Sequence, residues 1–580
     1  AEDTLMKTNG NALGILAATV GVALTLATGP AALAAPARVS PGHGAAAAKA
    51  AGSSYIVQAV SLAEARAAVE KTGGRITHEL GLINAVGATL SSAQADALRR
   101  RTGFTLFADN TVKATGVESG GSEEMAGGGG LGDGSTANTA TTWLTNAQAL
   151  HWSGITGAGV TIAIVDSGMM PDMTIVKGTA GQTRLLAGFD AINNRLVSKV
   201  LNTDTDAYGH GTHLASLAVS SRYDSDGGYN GIAPDARLVY VKAFDSAGRG
   251  TYANVIRGID WAVANRAAYG IRVMNLSFAA TPQSWYWNDP LNQAVMKAWK
   301  AGIIVVAAAG NSGPTEMTIG VPGNVPYIVT VGAMTDNYTR GDGSDDRLAS
   351  FSSTGPTYEG FVKPEVVAPG GHMLGVMSPS DALPKAYPQF LDQAYYFQMS
   401  GTSQATAVTS GVAALLLQAQ PSLTPDQVKC KLMSGARPAV DAIGALAYSI
   451  FQQGAGLIDA YAAMNAPAVN CANQGLNISA DLAGTSHYAG PARQDASGNF
   501  YVVDANGNPI GGQGYIWNKG YVWNNGYLWN NGYVWNNGYI WSNGYLWNKG
   551  YVWNKGYVWS QGTVAPASAS AGVNTWVPQE

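Results

Sequence analysis

Charge is what this chain has least of. Lysine, arginine, aspartate and glutamate make up 12% of its 580 residues, about half of ordinary usage. The 34 basic and 38 acidic residues nearly cancel, for a net charge of −4. That balance leaves no basic footprint for nucleic acid or for an anionic membrane surface. Cysteine is scarcer still. Cys430 and Cys471 are too few for a disulfide scaffold and cannot alone make a four-ligand zinc site. They can form one bridge if the protein is exported, or stay two buried thiols. No stretch beyond the N-terminal region reads as a transmembrane helix. What remains is a glycine- and alanine-rich chain too long for a single core, so two or more units are expected.

Residues 1–35 carry the marks of an export signal. Met6-Lys7 precede the apolar run Leu13–Ala27, and small residues follow through Ala35, the flank that signal peptidase accepts. A secreted protein is therefore expected. Residues 36–53 form an Ala/Pro/Gly-rich spacer. Over 54–112 the pattern predicts strands at Tyr55–Val60, Ile83–Leu90 and Phe104–Ala108, with helices at Leu62–Lys71 and after Ser91. Ser91 and Gln94 form a capping box. The order fits a small two-layer α+β unit, ferredoxin-like in architecture. Residues 113–140 read as a Gly-rich linker.

From about 141 to 470 the pattern becomes α/β. Apolar runs at Val160–Val165, Arg237–Lys242, Val273–Leu276, Ile303–Ala308 and Tyr327–Val331 look like strands buried on both faces. Helices are predicted between and after them, at Thr212–Ser220, Tyr252–Arg266, Pro290–Lys300, Gln404–Gln420 and Pro425–Gly435. A mostly parallel sheet with helices on both faces follows. Residues 514–562 hold consecutive Gly-Tyr-(Ile/Val/Leu)-Trp hexads. Their even period puts Tyr and Trp on one face of an extended chain, a short aromatic β repeat. Such a face can pack on itself or stack on carbohydrate or a cell surface.

Three strings carry chemistry. Asp166 ends a strand in Val-Asp-Ser-Gly, His210 opens a helix in Gly-His-Gly-Thr-His, and Ser403 opens another in Ser-Gly-Thr-Ser-Gln. A serine hydroxyl becomes a nucleophile when an imidazole takes its proton, and a buried carboxylate fixes the imidazole's tautomer. His213, one turn after His210, reads as structural. An esterase is disfavoured, because the nucleophile string lacks the Gly-x-Ser-x-Gly elbow.

With the strings Gly231–Pro234, Val306–Gly313, Phe351–Gly355, Lys363–Gly370 and Gly454–Ala460 in order between and after them, the sequence resembles the subtilisin-like serine peptidases over about 142–465. The resemblance implies a subtilisin-like α/β fold and a secreted endopeptidase made as a self-processing precursor, with polypeptides as substrates and no required cofactor. It assigns Asp166, His210 and Ser403 as the triad and Asn311 as an oxyanion donor. It places Ser277, Phe278 and Ala279 on one wall of the specificity pocket, Ala308 to Gly310 on the other, and Gly320 at its floor. No acidic group stands there, so apolar or aromatic substrate residues are expected. It implies that 54–112 is an inhibitory propeptide. Structural calcium is common in the family; Asp204, Asp206, Asp224 and Asp226 lie in loops able to hold it, though they read more simply as solvated carboxylates. Gln404, Thr406 and Ala407 depart from the family's Met and Ser-Pro. That departure, with the repeat, motivates the alternative of an inactive binding module or surface protein.

Overall fold

The structure, a computed structural model, describes residues 52–114, 141–223, 228–337, 343, 345–392, 395–440, 446–469, 471–504 and 507–509. The expected signal region, nearly all of the spacer and linker, the aromatic repeat, Asp224 and Asp226 lie outside the described residues.

The first block is built from β1 (Ser53–Gln58), α1 (Leu62–Lys71), β2 (Arg75–Leu80), β3 (Ala85–Leu90), α2 (Ser92–Arg99) and β4 (Thr105–Ala108). Its sheet order is β2-β3-β1-β4, antiparallel throughout. Strand side chains alternate between faces, so β1 sends Val57 to one side and Ile56 to the other. Val57, Val86, Ala88 and Leu90 pack under the helices, with Ala65, Val69, Ala95 and Leu98. Ile56, Leu80, Ile83 and Ala85 belong instead to the main core of the molecule. A sheet apolar on both faces needs a partner on each; here the second partner is the following unit. The capping box is formed: Gln94 N–H donates to Ser91 Oγ at 3.3 Å and Ser91 N–H to Gln94 Oε1 at 2.8 Å. Strand β2 was not expected, because its Arg75, Thr77, His78 and Glu79 mask the alternation. Two of those groups meet a polar helix surface, since Arg257 donates to Thr77 O at 2.8 Å and His78 Nε2 to Asn254 Oδ1 at 2.9 Å, while Arg75 and Glu79 are exposed.

After β5 (Thr111–Ala114) the chain enters the larger sheet. Its strands are β6 (Thr161–Asp166), β7 (Leu185–Asp190), β8 (Arg195–Leu196), β9 (Arg237–Lys242), β11 (Ile271–Leu276), β13 (Ile304–Ala308), β14 (Val329–Thr335), β15 (Arg347–Leu348) and β16 (Val366–Pro369), while β10 (Arg249–Thr251) and β12 (Phe278–Ala279) pair elsewhere. The order is β15-β14-β13-β11-β6-β9-β7-β8, with β16 on β14. Only β8 and β15 run antiparallel to their neighbours in it. The expected mostly parallel α/β sheet is present, and helices Pro290–Lys300 and Pro425–Gly435 fall where they were read. Strand β7 escaped the sequence because Gly188 interrupts its apolar run; a Cβ there would lie 2.4 Å from the Tyr240 ring. That close approach is why a strand tolerates the glycine.

Cys430 and Cys471 are joined, with Cα atoms 5.3 Å apart. Beyond the bridge, residues 471–504 lie against the sheet unit, through backbone bonds such as Gly490 N–H to Glu359 O at 2.7 Å and through a buried carboxylate. Asp481 accepts from Tyr286 OH at 2.5 Å, Tyr327 OH at 3.0 Å and His487 Nδ1 at 2.7 Å, and the His487 ring stacks on Trp287 at 4.7 Å. Among the described residues no helix is long and apolar enough to cross a membrane.

Candidate active site

Asp166 is the last residue of the central strand β6, and His210 is the first of helix His210–Val219. Both are wholly buried. Gly209 precedes the helix with φ +101°, a left-handed conformation costly for other residues, and has no side chain to cap it. Asp206 caps from upstream instead: its carboxylate accepts Gly209 N–H at 2.8 Å, Thr212 N–H at 2.8 Å and Thr212 Oγ1 at 2.7 Å. A carboxylate at this end also suits the helix dipole. The His210 ring is thereby fixed, and its Nδ1 donates to Asp166 Oδ1 at 2.8 Å. The same oxygen accepts Ser167 N–H at 2.8 Å and Ser167 Oγ at 3.1 Å. His210 Nε2 is buried and makes no hydrogen bond.

Ser403 is the second residue of helix Thr402–Ala419, which packs against the His210 helix. Its Oγ donates to Ser277 O at 3.0 Å. Ser277 Oγ in turn donates to Ser403 O at 2.9 Å and accepts from Asn275 Nδ2 at 2.8 Å, while Ser410 Oγ donates to Asn275 Oδ1 at 3.0 Å. This buried chain locks the helix of Ser403 to the end of β11. Sequence reading missed Asn275 and Ser410; a lone asparagine in the apolar run Val273–Leu276 was the available signal, since buried amides need partners. Asn311 accepts through Oδ1 from Thr402 N–H at 3.0 Å and Thr402 Oγ1 at 2.8 Å. That pins its carbonyl on the helix start, so the amide NH₂ is the end presented on the other side. Gly310 N–H adds a bond to Thr402 Oγ1 at 3.2 Å.

The expected pocket residues also meet. A Cβ built on Gly320 would lie 2.8 Å from the Ala279 Cβ, and one on Gly310 would lie 3.5 Å from it. Ala280 and Val321 exchange backbone hydrogen bonds at 2.9 and 2.8 Å, which joins the first wall to the floor. Ala308 is buried at the end of β13, and Phe278 is wholly buried with its ring tilted against Phe244 at 5.3 Å. His213 is structural in its setting: Nε2 donates toward Phe397 O at 3.0 Å and Met373 O at 3.2 Å. Burial, with His210 nearby, pushes it down to about 4, so it is neutral at working pH. Asp206 is committed to helix capping, and Asp204 Oδ1 accepts Asp206 N–H at 2.9 Å. Among the described residues no group of three or more His, Cys, Asp or Glu is placed to hold a metal.

Gln404 turns away from the backbone of Ser403. Its Nε2 lies 3.8 Å from Met399 Sδ, and its buried Oε1 accepts no hydrogen bond. A buried acceptor left unmade costs about 1–3 kcal/mol. Gln404→Met, similar in volume, is therefore expected to raise stability by about 1–2 kcal/mol, read as a higher urea midpoint in a Ser403→Ala background; an unchanged midpoint would contradict it.

A serine at the start of a helix that packs against the helix bearing a carboxylate-oriented imidazole, on a mostly parallel α/β sheet, is the arrangement of a serine peptidase of the subtilisin type. Comparison agrees: residues 157–457 match the subtilase family, Peptidase_S8. The chain belongs to the subtilase family. It is 40% identical over 286 residues to the serine protease AprX of Bacillus subtilis, covering 48% of this chain and 62% of AprX. It is 33% identical over 322 residues to subtilisin DY of Bacillus licheniformis, covering 55% of this chain and 96% of the relative. The fold is shared with fervidolysin from Fervidobacterium pennivorans, a keratinolytic enzyme related to subtilisin, at TM-score 0.54 and 22% identity, covering 78% of this chain and 64% of that one.

Proposed function

We propose that this chain is the precursor of an exported serine endopeptidase that hydrolyses polypeptides through an acyl-enzyme. The observation that carries the reading is the buried Asp166–His210 pair, 2.8 Å apart, with His210 on a helix packed against the one whose second residue is Ser403. With Nδ1–H held by Asp166, Nε2 is the basic nitrogen. It takes the Ser403 proton as Oγ attacks the substrate carbonyl and gives that proton to the leaving amine. The Asn311 amide and the Ser403 backbone N–H stabilise the oxyanion. The Ala279, Gly310 and Gly320 pocket, without an acidic group, favours apolar over basic side chains. The test compares the precursor with Ser403→Ala for chain length and casein hydrolysis. The parent should lose its first block and digest casein while the variant stays whole and inert; a parent equally whole and inert would favour the binding-module reading.

In the same reading, the first block 54–112 is an inhibitory propeptide. It supports this that β5 lies between β10 and β12 as the middle strand of a three-stranded antiparallel sheet, the arrangement of a peptide bound by strand addition. It also docks on helices Tyr252–Ala264 and Pro290–Lys300. Asp260 accepts Leu82 N–H at 3.0 Å, and Lys297 donates to Leu82 O at 2.6 Å. His78 sits in this contact, and burial, with Arg257 nearby, holds it below the ordinary histidine range despite the Asn254 bond. A group whose pKa is lowered by docking weakens the docking as pH falls through its free value, about 6.5. Docking is therefore fully present above that value and declines below it. Pre-incubation of the processed complex at pH 5 should speed the appearance of casein hydrolysis, assayed after return to pH 8. His78→Gln should flatten that dependence; an unchanged dependence would remove His78 as its source.

A further inference from the structure

Lys242 ends strand β9, whose Leu238 to Val241 are all buried, and its register partner on the parallel strand β6 is Asp166. Its side chain is half-buried, and its ammonium donates to two backbone carbonyls, Ser167 O at 2.7 Å and Thr205 O at 2.8 Å. Ser167 directly follows Asp166. Thr205 directly precedes Asp206, whose carboxylate caps the His210 helix. One side chain therefore ties the loop that leaves the carboxylate to the loop that enters the imidazole's helix. Resting on the peptidase reading above, we propose that Lys242 is a positioning residue of the triad, which keeps Asp166 and His210 at bonding distance.

The surroundings explain why a cation is used. Gly168 has φ +126°, and a Cβ there would lie 2.5 Å from Thr205 O, so the two loops touch backbone to backbone. Thr205 N–H donates to Met169 O at 3.1 Å, Met169 N–H to Thr205 Oγ1 at 3.1 Å, and Gly211 N–H to Ser167 Oγ at 2.9 Å. The Ser167 and Thr205 carbonyls meet at the ammonium with their negative ends, which repel each other unless a positive charge stands between them. A lysine ammonium is a compact point charge with three donors on a long stem, and β9 anchors that stem beside Asp166. Asp166 Oδ1 accepts from both His210 Nδ1 and Ser167 N–H, so a shift of the Ser167 peptide carries the carboxylate off the imidazole. A misplacement of about 1 Å can cost about 10²-fold in rate. The pocket residues Ala279, Gly310 and Gly320 stand on other elements, so substrate binding does not depend on this tie.

The experiment compares Lys242→Met, which keeps the apolar stem, with the parent. The variant should lower kcat per titrated active site at least about tenfold, with KM for an apolar peptide changed less than about twofold. The second readout is the His210 Nδ1 proton, which resonates far downfield of the amides when bonded to a buried carboxylate. It is observed in the intact precursor carrying Ser403→Ala. Adding Lys242→Met should shift or broaden that resonance while the circular dichroism matches the parent's. A merely structural lysine would lower the urea midpoint and leave kcat and the resonance alone. An unchanged kcat, an unchanged resonance, or a loss carried mainly by KM overturns the proposal and leaves the peptidase reading standing. A parent that hydrolyses nothing overturns both. If Lys242→Met does not fold, Lys242→Gln is compared in the same way; failure of both to fold makes the lysine a support of the whole fold and overturns its role in the triad.

Discussion

Asp166→Ala should lower kcat about 10⁴-fold with KM little changed, a magnitude measured on subtilisin, itself a relative of this chain. In the proposed mechanism the carboxylate does two things. Its Oδ1 fixes the His210 ring through a 2.8 Å bond to Nδ1, and its charge would stabilise the imidazolium that forms as Ser403 gives up its proton. Alanine removes both and leaves the Ser167 donors without their acceptor. A loss of 10⁴ corresponds to about 5 kcal/mol of barrier, more than any single contact at the pocket can supply. The check is steady-state kinetics on an apolar peptide substrate, together with the double variant Asp166→Ala/Ser403→Ala. Because the triad acts as a unit, the double variant should be no slower than Ser403→Ala alone. A loss under tenfold for Asp166→Ala would show that another group orients the imidazole.

Opening the Cys430–Cys471 bridge should cost about 4 kcal/mol of stability, the loop-closure entropy of a separation of 41 residues. The paired alanine variant in a Ser403→Ala background, unfolded in urea against its parent, measures this without self-digestion. The loss should also be felt at the Asp481 contact, because the bridge holds the start of the segment that presents Asp481 and His487. Faster cleavage by an added protease near residues 471–490 in the alanine variant is the local sign. Equal urea midpoints would mean that the tail is held by its own contacts, the Tyr286 and Tyr327 hydroxyls on Asp481 and the Trp287–His487 stack.

Much of the fold was legible because its signals are local. The buried parallel strands are continuous apolar runs, and the Pro290 and Pro425 helices announce themselves by a proline at the first turn behind Asp289 and Thr424 caps. Strands β2 and β7 were not legible, since what makes them strands lies elsewhere in the chain: helix Tyr252–Ala264 for His78 and Thr77, and the Tyr240 ring for Gly188. The same division runs through the site. Asp166, His210 and Ser403 stand in distinctive strings. Asn275, Ser410, Asp206 and Thr402 act on the site from strand interiors, loop turns and helix faces, and their roles exist only once the chain is folded. The cysteine pair was open in sequence and is closed in the structure because helix Pro425–Gly435 brings Cys430 against the tail.

The sheet that β5 completes has a consequence for what the mature enzyme would select. Without β5, strands β10 and β12 are two rails with a strand's width between them, each with backbone groups waiting for a third. Whatever enters must surrender about four residues to an extended shape, and a folded protein can do so only where its own structure opens. When that opening is fast relative to cleavage, the rate follows the open population. The apolar pocket would then choose among the bonds already exposed, and the choice of victim would fall on loosely folded chains before well-folded ones.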